Sequence, residues 1–163
     1  MTYEFIVEAR NQLYYSAISD PVSILCATLP EVPGAPTTEN QADDVVISWI
    51  APVNNGLEIT AYTVMIRKSD SDFAQDLINC DGTLSGIVSS KTCTLSLTTL
   101  TAAPYLLLPS EEVFVKVSAT NAYGTTAYSE VGNGAYIQFV PDAPINLVDV
   151  PEITSATQIG LSW

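Results

Sequence analysis

The sequence predicts an all-β protein, an antiparallel two-sheet Greek-key sandwich of about seven strands that is repeated in tandem. Three observations predict this fold. Apolar and polar residues alternate with a period of two, no segment shows a helical stripe of apolar residues, and the chain repeats itself after about 110 residues. The low share of charged residues, 14%, agrees with a β-rich chain whose outer faces carry hydroxyl groups.

The repeat is marked by three pairs of segments that recur in the same order. The paired segments are 7–20 with 117–130, 33–36 with 141–144, and 46–49 with 159–163. A fixed period of this length indicates consecutive copies of one structural unit. Residues 31–141 are therefore predicted to be a complete domain, residues 1–30 the C-terminal part of a preceding domain, and residues 142–163 the N-terminal part of a following one.

Alternating segments of the complete copy predict half-buried strands in chain order at residues 45–50, 62–66, 94–98 and 113–120. A tight turn is predicted at residues 54–56, because Asn-Gly readily adopts the positive φ angles that such turns need. Several short strands separated by turns favour a sandwich over any helical fold.

Composition excludes several functions. The 18 acidic and 5 basic residues give a net charge of -13, which disfavours nucleic acid and anionic membrane surfaces as partners. The absence of histidine removes the commonest general base and most nucleophile pairs, so neither catalytic residues nor a cofactor is expected.

No apolar run reaches the roughly 18 residues that span a bilayer, and membrane insertion of this segment is not expected. Residues 1–8 lack the pattern of a secretory signal, so either the true N-terminus lies upstream or the protein is not secreted from this start.

Clustered carboxylates are the remaining candidates for chemistry. Asp70, Asp72, Asp76 and Asp81 have the composition of a calcium loop but lack the glycine and the final Glu of an EF-hand. A solvated acidic loop is the favoured interpretation and a weak cation site the alternative, so no metal ligands are assigned. The adjacent pair at 111–112 would point to opposite faces of a strand and cannot converge on one bond.

Two further motifs receive structural interpretations. Arg67 and Lys68 lie before Ser-Asp without the glycine of an integrin-binding motif, and are predicted to end a strand. Gly132 and Gly134 precede a strand-like segment and no helix, so they predict a bulge or bend and not a phosphate-binding loop.

The order of these markers resembles that of fibronectin type III domains, which have immunoglobulin-like sandwiches, over the whole chain. The residues that carry the resemblance are Pro33-Gly-Ala-Pro36, Trp49, Asn55-Gly56, Tyr62-x-Val64 and Val117-x-Ala119-x-Asn121-x-x-Gly124. It implies that Trp49 and Tyr62 are core anchors on strands B and C, and that Trp163 is the anchor equivalent to Trp49. It also implies that residues 1–30 are strands F–G and residues 142–163 strands A–B. The family's corner tyrosine corresponds to Tyr3 in the first copy but to Val113 in the complete one, so its hydrogen bond should be missing there.

The region between strands C and E, about residues 69–92, is enlarged. The sequence around Cys80 and Cys93 is similar to divergent repeats of very large ciliate surface proteins. This similarity implies an extracellular or cell-surface location, where disulfides persist. A disulfide between the two cysteines is expected, worth about 3 kcal/mol; the alternative is two small buried hydrophobic residues in a reducing compartment. Cys26 has no counterpart: its partner lies upstream or on another chain, or Cys26 is a buried thiol.

Paired prolines in the linkers predict a stiff line of domains, and the half-copies at the ends predict a window cut from a longer array, with strand exchange between subunits as the alternative. The predicted function is a non-catalytic structural protein, one period of an extracellular fibre or surface filament. The alternatives are an adhesion or receptor ectodomain that binds a ligand through its loops, and an accessory domain of a secreted hydrolase. Expected partners are neighbouring domains of the same protein and laterally associated copies, and the hydroxyl-rich faces could carry O-linked glycans.

Overall fold

The computed structural model describes residues 2–139, 141 and 143–163. Its strands and helices are β1 (Thr2–Phe5), β2 (Val22–Leu25), β3 (Thr37–Gln41), β4 (Asp44–Ser48), β5 (Ile59–Arg67), β6 (Phe73–Ala74), α1 (Ser85–Ser90), β7 (Thr92–Ser96), α2 (Leu97–Thr101), β8 (Val115–Asn121), β9 (Gly124–Thr125), β10 (Val148–Asp149) and β11 (Leu161–Ser162).

Two antiparallel sheets form a sandwich within the complete copy. One sheet has the strand order β3-β4-β7 and the other β6-β5-β8-β9. The inward residues are those that the alternation selects, because successive side chains of a strand point to opposite faces. They form one core, and its strand members are Val45, Ile47, Tyr62, Val64, Ile66, Cys93, Leu95, Val115, Val117 and Ala119. The all-β sandwich prediction is confirmed.

Two short helices form where the sequence shows no helical stripe of apolar residues. The strand predicted through residue 98 ends at Ser96, whose Oγ accepts a hydrogen bond from the Thr99 backbone N–H at 3.1 Å and thereby caps α2. Leu97 and Leu100 then share the buried side of this short helix. The other helix, α1, lies in the enlarged region, and it ends where Lys91 adopts the left-handed conformation with φ 59°.

Val113, which the sequence aligns with the corner tyrosine, is fully buried and has no hydroxyl group, so its side chain makes no corner hydrogen bond. Backbone contacts hold this crossover instead. The Val113 N–H donates to the carbonyl of Ala135 at 2.8 Å, and the Val113 carbonyl accepts from the Thr38 hydroxyl at 3.2 Å. The strand predicted from residue 113 begins two residues later, at Val115.

The segment 132–137 closes one edge of the sandwich between β3 and the start of β8. Gly132 exchanges two backbone hydrogen bonds with Val115, at 2.8 and 2.9 Å. On its other side, the Asn40 side-chain amide bonds both the N–H and the carbonyl of Tyr136, each at 2.8 Å. This segment therefore joins the two sheets through β3 side chains.

The ends of the chain form two further antiparallel pairs, β1 with β2 and β10 with β11. In the first pair, Tyr3 lies opposite Ile24 and Phe5 opposite Val22, so all four side chains share one face. All four are exposed. Among the described residues, no helix has the length and apolar character needed to cross a membrane.

Tyr105 is a fully buried core residue whose hydroxyl has no hydrogen-bond partner among the described residues. Burial, together with the charge of Asp76, raises its pKa from 10.0 to about 12. The folded protein therefore holds the phenolic proton more tightly than the unfolded chain. This contribution to stability is complete below about pH 10 and is lost as the pH rises towards 12.

We expect Tyr105→Phe to unfold at an equal or higher urea concentration than wild type at pH 7, because it removes a buried unpaired hydroxyl. Between pH 10 and 12 the variant should lose less stability than wild type. Urea unfolding at pH 7, 10 and 11 measures both effects, and Tyr14→Phe, at a residue that is 79% exposed, is the control. An alkaline loss in Tyr105→Phe as large as in wild type would contradict the assignment.

Candidate functional site

The joint between the β1–β2 pair and the sandwich, residues 28–36, is the candidate functional site, and prolines shape it. Pro30, Pro33 and Pro36 are buried, whereas residues 31–32 and 34–35 between them are exposed. Burial of every third residue has the period of a polyproline II helix, in which one side of the chain recurs every three residues. The linker thus lays its proline side on the complete domain.

Hydrogen bonds fix the same linker to the loop between β4 and β5. The Thr28 N–H donates to the carbonyl of Asn55 at 3.2 Å, and the Glu31 N–H donates to the carbonyl of Val53 at 2.9 Å. The side-chain amide of Asn55 donates in turn to the carbonyl of Leu29 at 2.9 Å. Asn55 can do this because it sits in the left-handed region, φ 51°, which asparagine tolerates.

The turn between β8 and β9 supplies the second side of the joint. Asn121 is buried, its Nδ2 donates to the carbonyl of Thr28 at 2.8 Å, and its Oδ1 accepts from the Tyr123 N–H at 2.9 Å. Leu29 packs closely on Gly124, where a Cβ would lie 2.9 Å from its Cδ2. Two loops that are distant in sequence therefore hold one linker.

The segments on the two sides of the joint have the same local geometry. The Val117 N–H donates to Ser129 Oγ at 3.0 Å and the Ser129 N–H to the Val117 carbonyl at 2.8 Å; Val7 and Ser19 make the same two bonds, both at 3.0 Å. Asn11 Oδ1 accepts from the N–H groups of the residues two and three positions further on, as Asn121 Oδ1 does. The sequence repeat is thus also a repeat of hydrogen bonds.

We expect Asn55→Gly to loosen the joint without straining the backbone, because glycine accepts the left-handed conformation. The change removes only the bond to the Leu29 carbonyl, worth about 1 kcal/mol. Hydrogen exchange of the Thr28 and Glu31 amides should become roughly fivefold faster. Ala42→Gly, also at a left-handed position, φ 54°, but far from the linker, is the control. Equal exchange rates in both variants would show that the Asn55 side chain does not hold the joint.

The predicted disulfide cysteines and two of the predicted core anchors are buried inside the sandwich. Cys80 and Cys93 form a disulfide between the enlarged region and β7. Trp49 and Tyr62 are buried and pack edge-to-face, with ring centroids 5.2 Å apart. Burial raises the pKa of Tyr62.

One expectation about a buried residue requires correction, and another stays a prediction. Trp163 is 77% exposed, and its role as core anchor of a following domain stays a prediction. Cys26 is exposed and is therefore not the buried thiol that was one of its predicted states.

The four carboxylates of the predicted acidic loop serve separate local roles. Lys68 Nζ lies 2.8 Å from Asp70 Oδ2 and 3.5 Å from Asp72, and its hydrogen bond lowers the pKa of Asp70. Asp76 Oδ1 accepts from the backbone of Ile78 and Asn79, and Asp81 Oδ1 accepts from Thr83. Within the described parts of the chain, no group of three or more acidic, Cys or His side chains could hold a metal ion.

The other motifs have structural partners. Glu111 accepts from the Leu108 N–H at 2.7 Å, whereas Glu112 accepts from Asn133 at 2.6 Å, so the two carboxylates do not converge. Gly132 and Gly134 lie against the backbone of Pro36 and of β3. Arg67 ends β5, as predicted.

A cleft of about 890 Å³ opens beside the joint, between the β4–β5 loop and α1. Its walls are mostly apolar with hydroxyls at the edge, and it is lined by residues that include Val53, Ile59, Tyr62, Val88 and Ser89. Such clefts are where folded domains bind small ligands or peptide side chains.

The sequence did not identify the residues that form the joint. Asn55 was interpreted only as a turn residue, and Asn121 only as part of a turn between strands. Pro30 was outside the paired prolines, although three prolines at a spacing of three are visible in the sequence. That spacing was the one local signal available.

Comparison with known proteins supports the fold. No protein-family model matches the chain. A structure of titin domains has a TM-score of 0.50 at 18% identity, and covers 81% of this chain and 39% of its own. The sixth fibronectin type III domain of the human fibronectin type III domain containing protein 3 has a TM-score of 0.51 at 15% identity, and covers 74% of this chain and 95% of its own. The protein therefore has a fibronectin type III fold.

One curated relative matches in sequence. The Kelch domain-containing protein SSO1033 of Saccharolobus solfataricus is 24% identical over 149 residues, which are 90% of this chain. The match covers 20% of that protein, so the chain spans about a fifth of its relative's length.

Proposed function

We propose that this is a non-catalytic structural protein, one period of an extracellular fibre or surface filament built from tandem fibronectin type III domains. The joint carries this proposal. A linker that is bonded to the β4–β5 loop at Asn55 and to the β8–β9 turn at Asn121 leaves little freedom between the preceding segment and the domain. A fixed joint keeps neighbouring domains in one extended line, which a filament needs.

The repeated hydrogen bonds support the tandem arrangement. Residues 7–20 repeat the bonds of residues 117–130, so the segment ahead of the joint corresponds to the F–G part of a domain. In the proposed array, each domain is followed by a joint of the same design. The longest strand, β5, has 9 residues and spans about 30 Å, so with the turns at its ends one domain would add about 35 Å.

The disulfide supports an extracellular or surface location, because disulfides persist in oxidising compartments. The proposed partners are neighbouring domains of the same chain and laterally associated copies. O-linked glycans on the hydroxyl-rich faces belong to the same proposal.

Electron microscopy of the full-length protein in unreduced form tests the proposal. We expect ordered fibres with an axial repeat of about 35–40 Å, the length of one domain of extended strands. Dispersed flexible strings, with fast hydrogen exchange at the Thr28 and Glu31 amides, would contradict it.

The cleft favours a second candidate function, an adhesion or receptor ectodomain. Ser89 lines the cleft and is exposed, so Ser89→Arg would place a long charged side chain across its apolar walls. If the cleft binds a cell-surface ligand, adhesion of cells to the immobilised protein should fall in this variant but not in Gln138→Arg, a matched exchange at an exposed residue outside the cleft. Equal adhesion to both variants would dismiss this function.

A further inference from the structure

The outer face of the β6-β5-β8-β9 sheet carries two cations that are stacked on aromatic rings. The Arg67 guanidinium carbon lies 3.8 Å from the ring centroid of Phe114. Lys116 Nζ lies 4.1 Å from the centroid of Phe73 and 4.8 Å from that of Tyr128. The rings hold both cations in place by cation–π attraction. These five side chains are called the cationic face.

Among the described residues, neither cation has a carboxylate partner. Within residues 2–139, 141 and 143–163, the ion pairs join Lys68 to Asp70 and Asp72, and none involves Arg67 or Lys116. The chain carries 18 acidic and 5 basic residues. Arg67 and Lys116 thus place two positive charges on one sheet face of a strongly acidic protein, and they complement an acidic surface.

The opposite sheet offers such a surface. No lysine or arginine occurs between Arg10 and Arg67. On the outer side of β3 and β4, Glu39 lies opposite Val46, and Gln41 lies opposite Asp44. Glu39 is exposed and Asp44 half-buried, and no hydrogen bond or ion pair engages either carboxylate within the described part of the chain. Glu39 and Asp44 are called the acidic pair.

Each pair of charges consists of two neighbouring residues on one sheet face. Glu39 and Asp44 are diagonal neighbours across the β3–β4 ladder. Lys116 lies opposite Met65 on β5, and Arg67 is two residues further along the same strand, so the two cations are also diagonal neighbours. Diagonal neighbours of antiparallel strands lie about 7–8 Å apart. Two carboxylates of one molecule can therefore meet two cations of another.

We propose that the cationic face of one copy docks on the acidic pair of a second copy. This inference rests on the proposed function, for which it supplies the lateral contact. Because the two surfaces lie on opposite sheets, the contact is heterologous: a docked pair keeps one unused cationic face on one copy and one unused acidic pair on the other. A heterologous contact that does not close into a ring adds copies without limit, as a filament requires.

Charge reversal on the full chain tests the proposal by sedimentation at about 0.15 M salt. We expect Arg67→Glu/Lys116→Glu and, separately, Glu39→Lys/Asp44→Lys to weaken self-association about tenfold or more. The second variant leaves the cation–π contacts untouched, so its effect does not depend on the fold of the cationic face. A chain that carries all four reversals should associate like wild type. Salt near 1 M should weaken the self-association of both wild type and the fourfold variant.

Matched controls separate this contact from net charge. Arg10→Glu/Lys91→Glu and Glu58→Lys/Glu130→Lys change the net charge by the same amounts away from both surfaces, and should associate like wild type. If the controls weaken association equally, or if the fourfold reversal does not restore it, the proposal is overturned. Binding of a sulfated polysaccharide by a wild-type protein that stays monomeric would also overturn it. Ordered fibres that survive all the reversals would overturn this contact alone and leave the proposed function standing.

Discussion

Gly132→Ala is expected to destabilise the domain by about 3 kcal/mol or more, which approaches the whole stability of many small domains. An added Cβ would overlap the carbonyl of Pro36. Neither Gly132 nor Pro36 can move easily to relieve this overlap. Gly132 is bonded to Val115 through both its N–H and its carbonyl, and Pro36 is buried. Relief would require the segment at residue 132 to leave β8.

Urea unfolding followed by tryptophan fluorescence measures this loss. Gly34→Ala is the matched control, because nothing lies within 4 Å of a Cβ built at Gly34. That control should change stability by less than about 1 kcal/mol. Equal midpoints for the two variants would mean that the edge of the sandwich near Pro36 is looser than the structure shows.

Removal of the disulfide should have the second largest effect. We expect Cys80→Ala/Cys93→Ala to lower the free energy of unfolding by about 3 kcal/mol, because the bridge closes a loop across 13 residues and restricts the unfolded chain. The effect should be greatest in the enlarged region. Cys93 lies on β7 opposite Ile47 of β4, so the bridge anchors the region to the sheet that carries the acidic pair.

A reducing agent provides the control for this prediction. Wild type should lose more stability on reduction than the double variant, in which this bridge is already absent. Urea unfolding with and without dithiothreitol compares the two proteins. A wild type that is indifferent to reduction would favour the alternative in which Cys80 and Cys93 act as small buried hydrophobic residues.

The strands were predictable because their signal is local. Val45 and Ile47 on β4, and Val115 and Val117 on β8, alternate with polar or less buried residues, and a strand directs alternate side chains to one face. The helix α2 was not predictable in the same way. Leu95 and Leu97 continue the alternation through Ser96, and only the cap at Ser96 and the burial of Leu100 decide that the strand stops there.

The candidate site was predictable only in part, because its contacts join residues that are far apart in the chain. The prolines predicted a stiff linker, but they did not predict the residues that hold it. The hydrogen bond from Asn121 to Thr28 spans 93 residues of sequence, and that from Asn55 to Leu29 spans 26. Both asparagines are ordinary turn residues locally. Nothing in their own segments shows that their side chains reach back to a linker.

Composition and local pattern were enough to predict the all-β class and the two-residue period of the strands, and they predict a repeat of about 110 residues. Each of these depends on composition or on neighbours in the chain. Contacts between distant segments set the joint at residues 28–31, the closure of the sandwich at Gly132, the exposure of Trp163 and the placement of opposite charges on opposite sheets. These features depend on which distant segments meet, and packing settles that choice by burying apolar faces and pairing backbone groups.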